Sequence, residues 1–369
     1  MSKLFERTVI NGMELSNRFV RSATWEAMAA EDGSVTPKLI ETLVNLAKGG
    51  AGLIITSHSY VLPEGQARPR QMGIYKDELV DKLEELTAAV HQAGARIAMQ
   101  ISHAGNATSE ALIGRHPFVV SNFEGLSDSP RVEITTDYIR LLISAFADAA
   151  RRAKASGFDA VQIHSAHGYL LSQFLSPAFN RRQDEYGGSI ENRSRIHLEI
   201  YRAIRKVVGP EFPIMIKLNC EDFVEDGLKF GESLQVGRML ADAGLDAIEL
   251  SGGLPISGKL SYSRVGIRSE KHEAYFQEYA QAFKKQMAIP IILVGGIRSF
   301  SVAERLLEDG MADYISMSRP FIREPALINR WKAGDHRRAL CISDNLCYGP
   351  VLQGEGIYCV TEEKEKGKY

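Results

Sequence analysis

The sequence predicts a (β/α)8 barrel with a capping insertion after its third strand. Five passages repeat one pattern, in which a helix ends at a glycine and a short apolar strand with a polar end follows. Glycine just past a helix supplies the left-handed cap that other residues resist. Short apolar runs are typical of parallel strands that are covered on both faces. Eight such strands alternating with helices favour a closed barrel over a doubly wound sheet.

The predicted strands are spread over the whole chain. The five glycine-led strands lie within residues 48–57, 92–100, 155–164, 242–251 and 308–318. Three further apolar runs complete the barrel, and they span residues 18–23, 213–219 and 290–295. Helical periodicity fills the gaps, for example over residues 77–91, 137–155 and 191–207.

The regions outside the repeat are two loops and a tail. No linker rich in proline, glycine or serine divides the chain, so we expect one domain over residues 1–369. The longest irregular stretch, residues 102–135, follows the third strand, and we expect it to cap the barrel mouth. A second loop covers residues 170–189 and ends at Ser189, which is typical of a helix N-cap. A C-terminal extension begins at about residue 335.

Composition excludes several classes of function. The formal net charge is −2 and charged residues make up 24% of the chain, so neither nucleic acid nor an anionic membrane is indicated as a partner. The hydrophobic content of 44% is typical of a globular protein. Residues 1–7 contain no apolar signal core, and the four cysteines are too few for a disulfide framework. We therefore expect a cytoplasmic protein.

The fourth predicted strand ends in the most informative side chains of the sequence. His164 closes the strand, and His167 and Tyr169 follow it closely. In a barrel of this type the C-terminal ends of the strands face the active site. Two imidazole donors can hold an oxyanion and a phenol can deliver a proton, which indicates reduction or isomerisation beside a carbonyl. The histidines could equally satisfy backbone groups of the loop.

The ends of other strands indicate a phosphorylated heterocyclic ligand. Paired glycines after the seventh strand and a Ser-Arg pair after the eighth match the position of the phosphate site in such barrels. An amide, an ammonium group and a hydroxyl at other strand ends suit the edge of a ring with alternating donors and acceptors. A flavin with its phosphate meets these demands. The residues concerned are Gly295, Gly296, Ser318, Arg319, Gln100, Lys217 and Thr24.

Two other functions remain open at this point. Four histidines at the ends of strands two to four could bind zinc in a metal-dependent barrel hydrolase. That alternative leaves the phosphate loops without a purpose. A flavin-binding protein without catalytic activity is the other possibility, although an intact pair of histidines and a tyrosine argue against it. The four histidines are His58, His103, His164 and His167.

Over nearly its full length the chain resembles the Old Yellow Enzyme family of FMN-dependent ene reductases. The most specific match runs from His164 to Arg193, with the histidine pair and tyrosine at its start. It continues through the many polar and charged residues between Phe174 and Arg193. The other matching segments are Leu4-Phe5, residues 17–20 and residues 100–105. The resemblance implies that FMN binds at the barrel mouth and that NADH or NADPH reduces it.

The resemblance also implies a role for each residue of the site. His164 and His167 match the pair that holds a substrate carbonyl oxygen, and Tyr169 matches the proton donor to the α-carbon. Hydride passes from flavin N5 to the β-carbon of an α,β-unsaturated carbonyl. The implied substrate is therefore a small activated alkene or enone, and the implied assembly is a homo-oligomer. For the cofactor, Ala23 and Thr24 contact the flavin near its C4 carbonyl and N5, Ser57 lies under the ring, Gln100 pairs with the pyrimidine edge, Lys217 lies at N1 and O2, and Gly295, Gly296, Ser318 and Arg319 hold the phosphate.

Three of the four cysteines lie near the end of the chain. Cys341, Cys347 and Cys359 resemble the remnant of an iron–sulfur motif found in dienoyl-CoA reductase-like relatives. Asp344 stands where a second cysteine is expected, and a [4Fe–4S] cluster normally needs four thiolates. We therefore expect no cluster, and no bound metal. The chain resembles a short, single-domain member of that branch.

Overall fold

The central feature of the fold is a closed barrel of parallel strands. In the computed structural model, which describes residues 2–367, eight parallel strands close in the order β3-β4-β5-β8-β9-β10-β11-β12. The predicted (β/α)8 barrel is therefore confirmed. The strands are β1 Thr8–Ile10, β2 Met13–Leu15, β3 Phe19–Arg21, β4 Leu53–Tyr60, β5 Arg96–Ser102, β6 Phe118–Val119, β7 Val132–Glu133, β8 Ala160–Ser165, β9 Ile214–Asn219, β10 Ala247–Ser251, β11 Ile291–Val294 and β12 Tyr314–Met317.

Helices surround the barrel and bury their apolar faces against it. The long helices begin close to the predicted positions, and Ser189 caps one of them by accepting from the backbone N–H of Asn192. Among the described residues, no helix is both long and apolar enough for a membrane span. The helices are α1 Pro37–Lys48, α2 Val80–Gln92, α3 Glu110–Ile113, α4 Thr136–Ala155, α5 Leu170–Leu175, α6 Ile190–Val208, α7 Phe230–Asp242, α8 Gln277–Gln286, α9 Phe300–Glu308, α10 Arg319–Arg323, α11 Leu327–Lys332, α12 Tyr348–Leu352 and α13 Val360–Glu365.

An N-terminal hairpin closes the bottom of the barrel. Strands β1 and β2 pair antiparallel, and Ile10, Met13 and Leu15 pack against the inward-facing apolar residues of the barrel strands. The hydroxyl of Thr8 lies 3.0 Å from that of Tyr314 on β12. The lower half of the barrel is consequently filled with apolar side chains, and polar chemistry is confined to the opposite end.

The insertion after β5 is more regular than its composition suggests. It contains α3 and the short parallel pair β6 and β7. Arg182, in the loop after α5, donates to the carbonyl oxygens of Val120 and Ile134 and so ties the two loops together. Within residues 2–367, the main cavity at the barrel mouth is lined by no residue of the insertion.

The C-terminal extension contributes to the lining of the cavity. Asn345 accepts a hydrogen bond of 2.6 Å from Arg319 at the start of α10 and donates one of 2.9 Å to the carbonyl oxygen of Ser263. Helix α12 follows directly and contributes Tyr348 and Leu352 to the cavity lining. The extension therefore belongs to the site and is not a peripheral tail.

The end of α1 makes a close backbone contact that only glycine permits. Gly49 has an ordinary φ of −75°, but a Cβ there would lie 1.9 Å from the carbonyl oxygen of Pro325. The Gly49 carbonyl also accepts from the N–H of Asn329 in α11. The first and last parts of the barrel thus meet through main-chain atoms.

We predict that Gly49→Ala lowers the free energy of unfolding by about 2 kcal/mol or more, because neither backbone can move without breaking this contact. Gly231→Ala is the matched control. No atom lies within 4 Å of its Cβ position in α7, so a gain of up to about 1 kcal/mol is expected there from helix propensity. Urea unfolding of both variants measures the difference. Equal stabilities would contradict the steric argument.

Candidate functional site

A cavity of about 380 Å³ opens at the C-terminal ends of the barrel strands. Most of the predicted site residues line it together, although they come from opposite ends of the sequence. Ser57 and Gly295 are the exceptions and lie outside the lining of the described cavity. The predicted residues that line it are Ala23, Thr24, Gln100, His164, His167, Tyr169, Lys217, Gly296, Ser318 and Arg319.

A bulge in β4 explains why Ser57 is displaced. The register between β4 and β5 shifts between Ile55 and His58, so the strand carries an extra residue there. Ser57 becomes buried, and its carbonyl oxygen accepts from the hydroxyls of Thr56 and Ser59. The side chain of His58 enters the cavity instead.

The cation of the site is held by a buried carboxylate. Nζ of Lys217 lies 3.1 Å from Oε2 of Glu249 on the neighbouring strand, and both side chains are almost fully buried. Lys217 also donates to the hydroxyl of Ser22 at 2.9 Å. Glu249 accepts from Ser22 and Ser316 at 2.7 and 2.8 Å, so its oxygens are well satisfied. A buried charge needs such partners to be tolerated.

The same carboxylate orients the predicted ring-binding amide. Gln162 donates to Oε2 of Glu249 at 2.9 Å, and this fixes which end of its amide carries oxygen. That oxygen accepts from the Gln100 amide nitrogen at 2.6 Å. The chain of bonds leaves the carbonyl oxygen of Gln100 as the group free to accept from a ligand.

The two predicted oxyanion-holding histidines lie side by side. The ring centroids of His164 and His167 are 5.5 Å apart in an edge-to-face arrangement. His167 has a positive φ of 62°, stacks on Tyr262 and lies 2.7 Å through Nε2 from the hydroxyl of Ser251. Nδ1 of His164 is buried and has no hydrogen-bond partner among residues 2–367.

These rings are neutral at ordinary pH. Burial first, and then neighbouring positive charge, lowers the pKa of His164 and His167 well below 6.5. Lys217 is among the charges that act on both. A neutral imidazole can still donate one N–H to an oxygen, so the pair provides hydrogen bonds without bringing charge into the cavity.

Tyr169 completes the reactive end of the cavity. Its ring lies 4.5 Å from that of His164 and 5.0 Å from that of His58. Burial raises the pKa of Tyr169 to about 12, and the guanidinium of Arg68 acts in the opposite direction. The phenol is therefore protonated and can act as an acid at neutral pH.

The far end of the cavity has the character of an anion site. Gly296 has a φ of 72°, a conformation that glycine adopts without strain. Ser318 precedes α10, and its hydroxyl lies 2.7 Å from that of Thr24, which links this end to the ring end. Arg298 and Arg319 both line the cavity. Nη1 of Arg319 donates to the carbonyl oxygen of Arg264 and to Oδ1 of Asn345, and the guanidinium of Arg298 donates to the carbonyl oxygens of Ile267 and Ala339.

Comparison with known proteins identifies the family. A family model described as the NADH:flavin oxidoreductase / NADH oxidase family matches residues 3–337. The chain belongs to this family. An NADH oxidase of Thermoanaerobacter brockii is 36% identical over 96% of this chain, which spans only 57% of that relative. An NADPH dehydrogenase of Bacillus subtilis (strain 168) is 33% identical, and the match covers 88% of this chain and 92% of the relative.

Solved structures agree with the family assignment. The structure of 2-naphthoyl-CoA reductase superimposes with a TM-score of 0.89 at 28% identity, over 97% of this chain and 56% of that one. An old yellow enzyme homologue from Zymomonas mobilis has a TM-score of 0.77 at 26% identity, over 90% of this chain and 93% of its own. The predicted Old Yellow Enzyme family and its FMN cofactor, with NADH or NADPH as reductant, are thereby confirmed. The dienoyl-CoA reductase-like branch stays a prediction.

The C-terminal cysteines lie beside the cavity but do not form a four-thiolate site. Cys341, Cys347 and Cys359 line a separate small pocket with Asp344, whose carboxylate accepts from Thr361. Burial raises the pKa of Cys347 to about 11, so its thiol stays protonated. Within residues 2–367 no group of three or more histidine, cysteine or acidic side chains could hold a metal ion. Three thiols and one carboxylate do not make up the four thiolates that a [4Fe–4S] cluster normally needs.

Sequence reasoning missed the residues that support the site. Glu249 and Gln162 have a visible signal, because each is a polar residue within a short apolar strand. A buried charge at such a position calls for a partner on a neighbouring strand. The sequence indicates His58 only as a possible zinc ligand. Nothing local in the sequence indicates that Tyr262 and Tyr348 reach the cavity from distant loops.

The Lys217–Glu249 pair gives a stability prediction. Glu249→Gln leaves Lys217 buried without its counter-charge, and we expect a loss of about 3 kcal/mol in the free energy of unfolding. The double variant Lys217→Met, Glu249→Gln should regain most of that loss, because no unpaired charge remains. Glu85→Gln, in an exposed pair with Lys82, serves as control and should change stability by less than about 0.5 kcal/mol. Urea unfolding measures these stabilities. If the double variant loses at least as much stability as Glu249→Gln alone, the two residues are not coupled.

The buried histidines predict a loss of stability in mild acid. Burial lowers the pKa of His58 and His197 to about 4, so the unfolded chain binds their protons first as pH falls below about 6.5. Each of these histidines then lowers the free energy of unfolding by up to about 1.4 kcal/mol per pH unit between pH 6.5 and 4. His197→Gln, outside the cavity, should reduce the measured slope by about that amount. Identical slopes for the variant and the unmodified protein in urea unfolding would contradict this assignment.

Proposed function

We propose that the protein is an ene reductase that uses FMN and NADH or NADPH to reduce a small activated alkene. The observation that carries this proposal is the contact of His164, His167 and Tyr169 in one cavity that also holds Gln100 and Lys217. Neutral donors, a protonated phenol and a paired cation are the groups that such a reduction needs.

The lining of the cavity fits FMN. A flavin phosphate presents carbonyl oxygens, ring nitrogens and an anion, so it requires hydrogen-bond donors and positive charge. Within the described part of the chain, the cavity lining contains arginine and lysine but no aspartate or glutamate. The ring would be held by Ala23, Thr24, Gln100 and Lys217, and the phosphate by Gly296, Ser318 and Arg319. When bound, FMN supplies hydride from its N5 to the β-carbon of the alkene.

The protein groups handle the oxygen and the proton of the reaction. We assign His164 and His167 the task of donating hydrogen bonds to the substrate carbonyl oxygen, where negative charge develops. The hydrogen bonds from these N–H groups become stronger as that charge grows. Because both rings are neutral, they do not repel Lys217. Tyr169 gives its phenolic proton to the α-carbon. A homo-oligomeric state and a cytoplasmic location stay predictions.

A flavin-binding protein without turnover is the remaining alternative. It predicts the same cofactor but gives no reason for a buried phenol beside two neutral histidines. Metal-dependent hydrolysis loses its support with the family assignment.

We predict that Tyr169→Phe slows reoxidation of the NADPH-reduced protein by cyclohexenone at least 100-fold, the lower range for loss of a general acid. Reduction by NADPH in the same stopped-flow experiment should change less than twofold, because no proton from Tyr169 is needed there. Equal loss in both half-reactions would remove Tyr169 from the role of specific donor. Failure of the unmodified protein to react with any alkene would refute the proposed function.

A further inference from the structure

His58 is the cavity residue whose contact with the reactive phenol has no role in the function proposed above. It follows the bulge in β4, and its Nε2 lies 3.1 Å from Oη of Tyr169. Among residues 2–367, the Tyr169 hydroxyl makes no other hydrogen bond. Which of the two atoms donates in this bond decides where the phenolic hydrogen points.

Gln71 settles the direction of the bond, because its own orientation is fixed. Its Oε1 accepts from the backbone N–H groups of Ala67 and Arg68 at 2.7 and 3.2 Å. The amide nitrogen must then be the atom that contacts His58, at 2.8 Å from its carbonyl oxygen and 2.7 Å from its Nδ1. Gln71 is fully buried, so no alternative partner from solvent is available to it.

The tautomer of His58 follows from these contacts. Burial first, and then the positive charge of Arg68, lowers the pKa of His58 to about 4, so the ring carries one proton at neutral pH. Nδ1 faces a donor and must accept, so the proton resides on Nε2. Nε2–H therefore donates to Tyr169, and the phenolic hydrogen is left to point into the cavity.

A second histidine–tyrosine pair in the same protein has the same arrangement of donor and acceptor, but its phenolic hydrogen already has an acceptor. Nδ1 of His103 accepts from the N–H of Gly105, and its Nε2 lies 3.1 Å from Oη of Tyr138. There the phenolic hydrogen is donated to Glu64 at 3.1 Å. Tyr169 has the imidazole donor but lacks the carboxylate acceptor, and its hydrogen is thus available to a ligand.

We propose that His58, held in the Nε2–H tautomer by Gln71, is a positioning residue that aims the Tyr169 proton at the substrate. The proposal rests on the function inferred above. When the phenolic O–H bond breaks and a C–H bond forms at the α-carbon, the oxygen keeps the electron pair. The phenolate that remains is stabilised by the N–H of His58.

His58 holds this proton donor and does not relay protons. If His58 released its Nε2 proton, its Nδ1 could not take up another proton while Gln71 donates a hydrogen bond to it. The proton that converts the Tyr169 phenolate back to a phenol must therefore come from water. Other groups act on Tyr169 as well. Burial raises its pKa, Arg68 lowers it and Tyr348 raises it. The ring of His164 packs against it without a hydrogen bond between them.

The decisive comparison is between His58→Phe and His103→Phe, because each removes one histidine–tyrosine bond from a buried ring. With a fluorinated tyrosine at position 169, the phenol titrates in an accessible range. Its pKa should rise by about one unit in His58→Phe, a tenfold change in ionisation, and stay unchanged in His103→Phe. Alkene reoxidation should slow at least tenfold in His58→Phe only, with NADPH reduction within twofold. An unchanged phenol pKa in His58→Phe overturns the proposal.

Two further measurements keep the proposal testable if His58→Phe does not fold. Nitrogen-15 NMR of the unmodified protein with labelled histidine should show His58 protonated at Nε2, and protonation at Nδ1 overturns the proposal. His58→Gln places an amide donor near the Nε2 position and should restore the reoxidation rate to within threefold. A rate no better than that of a His58→Leu variant counts against it. If the unmodified protein reacts with no alkene while the NMR and phenol pKa results hold, the proposed function fails but the tautomer assignment stands.

Discussion

The carboxylate of Glu249 is the constraint on which the polar half of the barrel depends. It is fully buried on β10, yet it accepts from the ends of strands on both sides of the barrel. Lys217 on β9 neutralises it, and Gln162 on β8 extends the network to Gln100 on β5. A charge at this depth is tolerated only when every oxygen is satisfied. The register of these strands is therefore fixed by polar bonds as well as by the apolar layer beneath.

This arrangement explains how a barrel end can present a fixed set of donors. The lower half is closed by the N-terminal hairpin and filled with apolar side chains. Polar side chains that project from the upper half have no water below them and must bond to one another. Each amide and hydroxyl in the network is thereby held in one orientation before a ligand binds. Donors fixed in advance stabilise developing charge more than mobile donors do, because they need no reorganisation.

The sequence predicts the barrel well because the signal for it is local. A glycine cap followed by an apolar run marks each strand without knowledge of its neighbours, and the strand ends place His164, Lys217 and Gln100 at one mouth. Two features depend on non-local contacts and were not predicted. The bulge in β4 places His58 in the cavity lining where Ser57 is predicted, because the register of β4 is set by its pairing with β5. Tyr262 and α12 contribute to the lining of the cavity, and within the described chain no residue of the 102–135 insertion lines it.

The electrostatics of the cavity favour a reaction in which negative charge appears only transiently. Burial lowers the pKa of His58, His164 and His167, and the charge of Lys217 lowers it further for each of them, so these rings are neutral near pH 7. Lys217 itself is balanced by Glu249, and the reactive end holds many N–H donors together with the positive charge of Arg68. A charge that develops on an oxygen during the reaction gains most, because it meets aligned donors and no competing carboxylate.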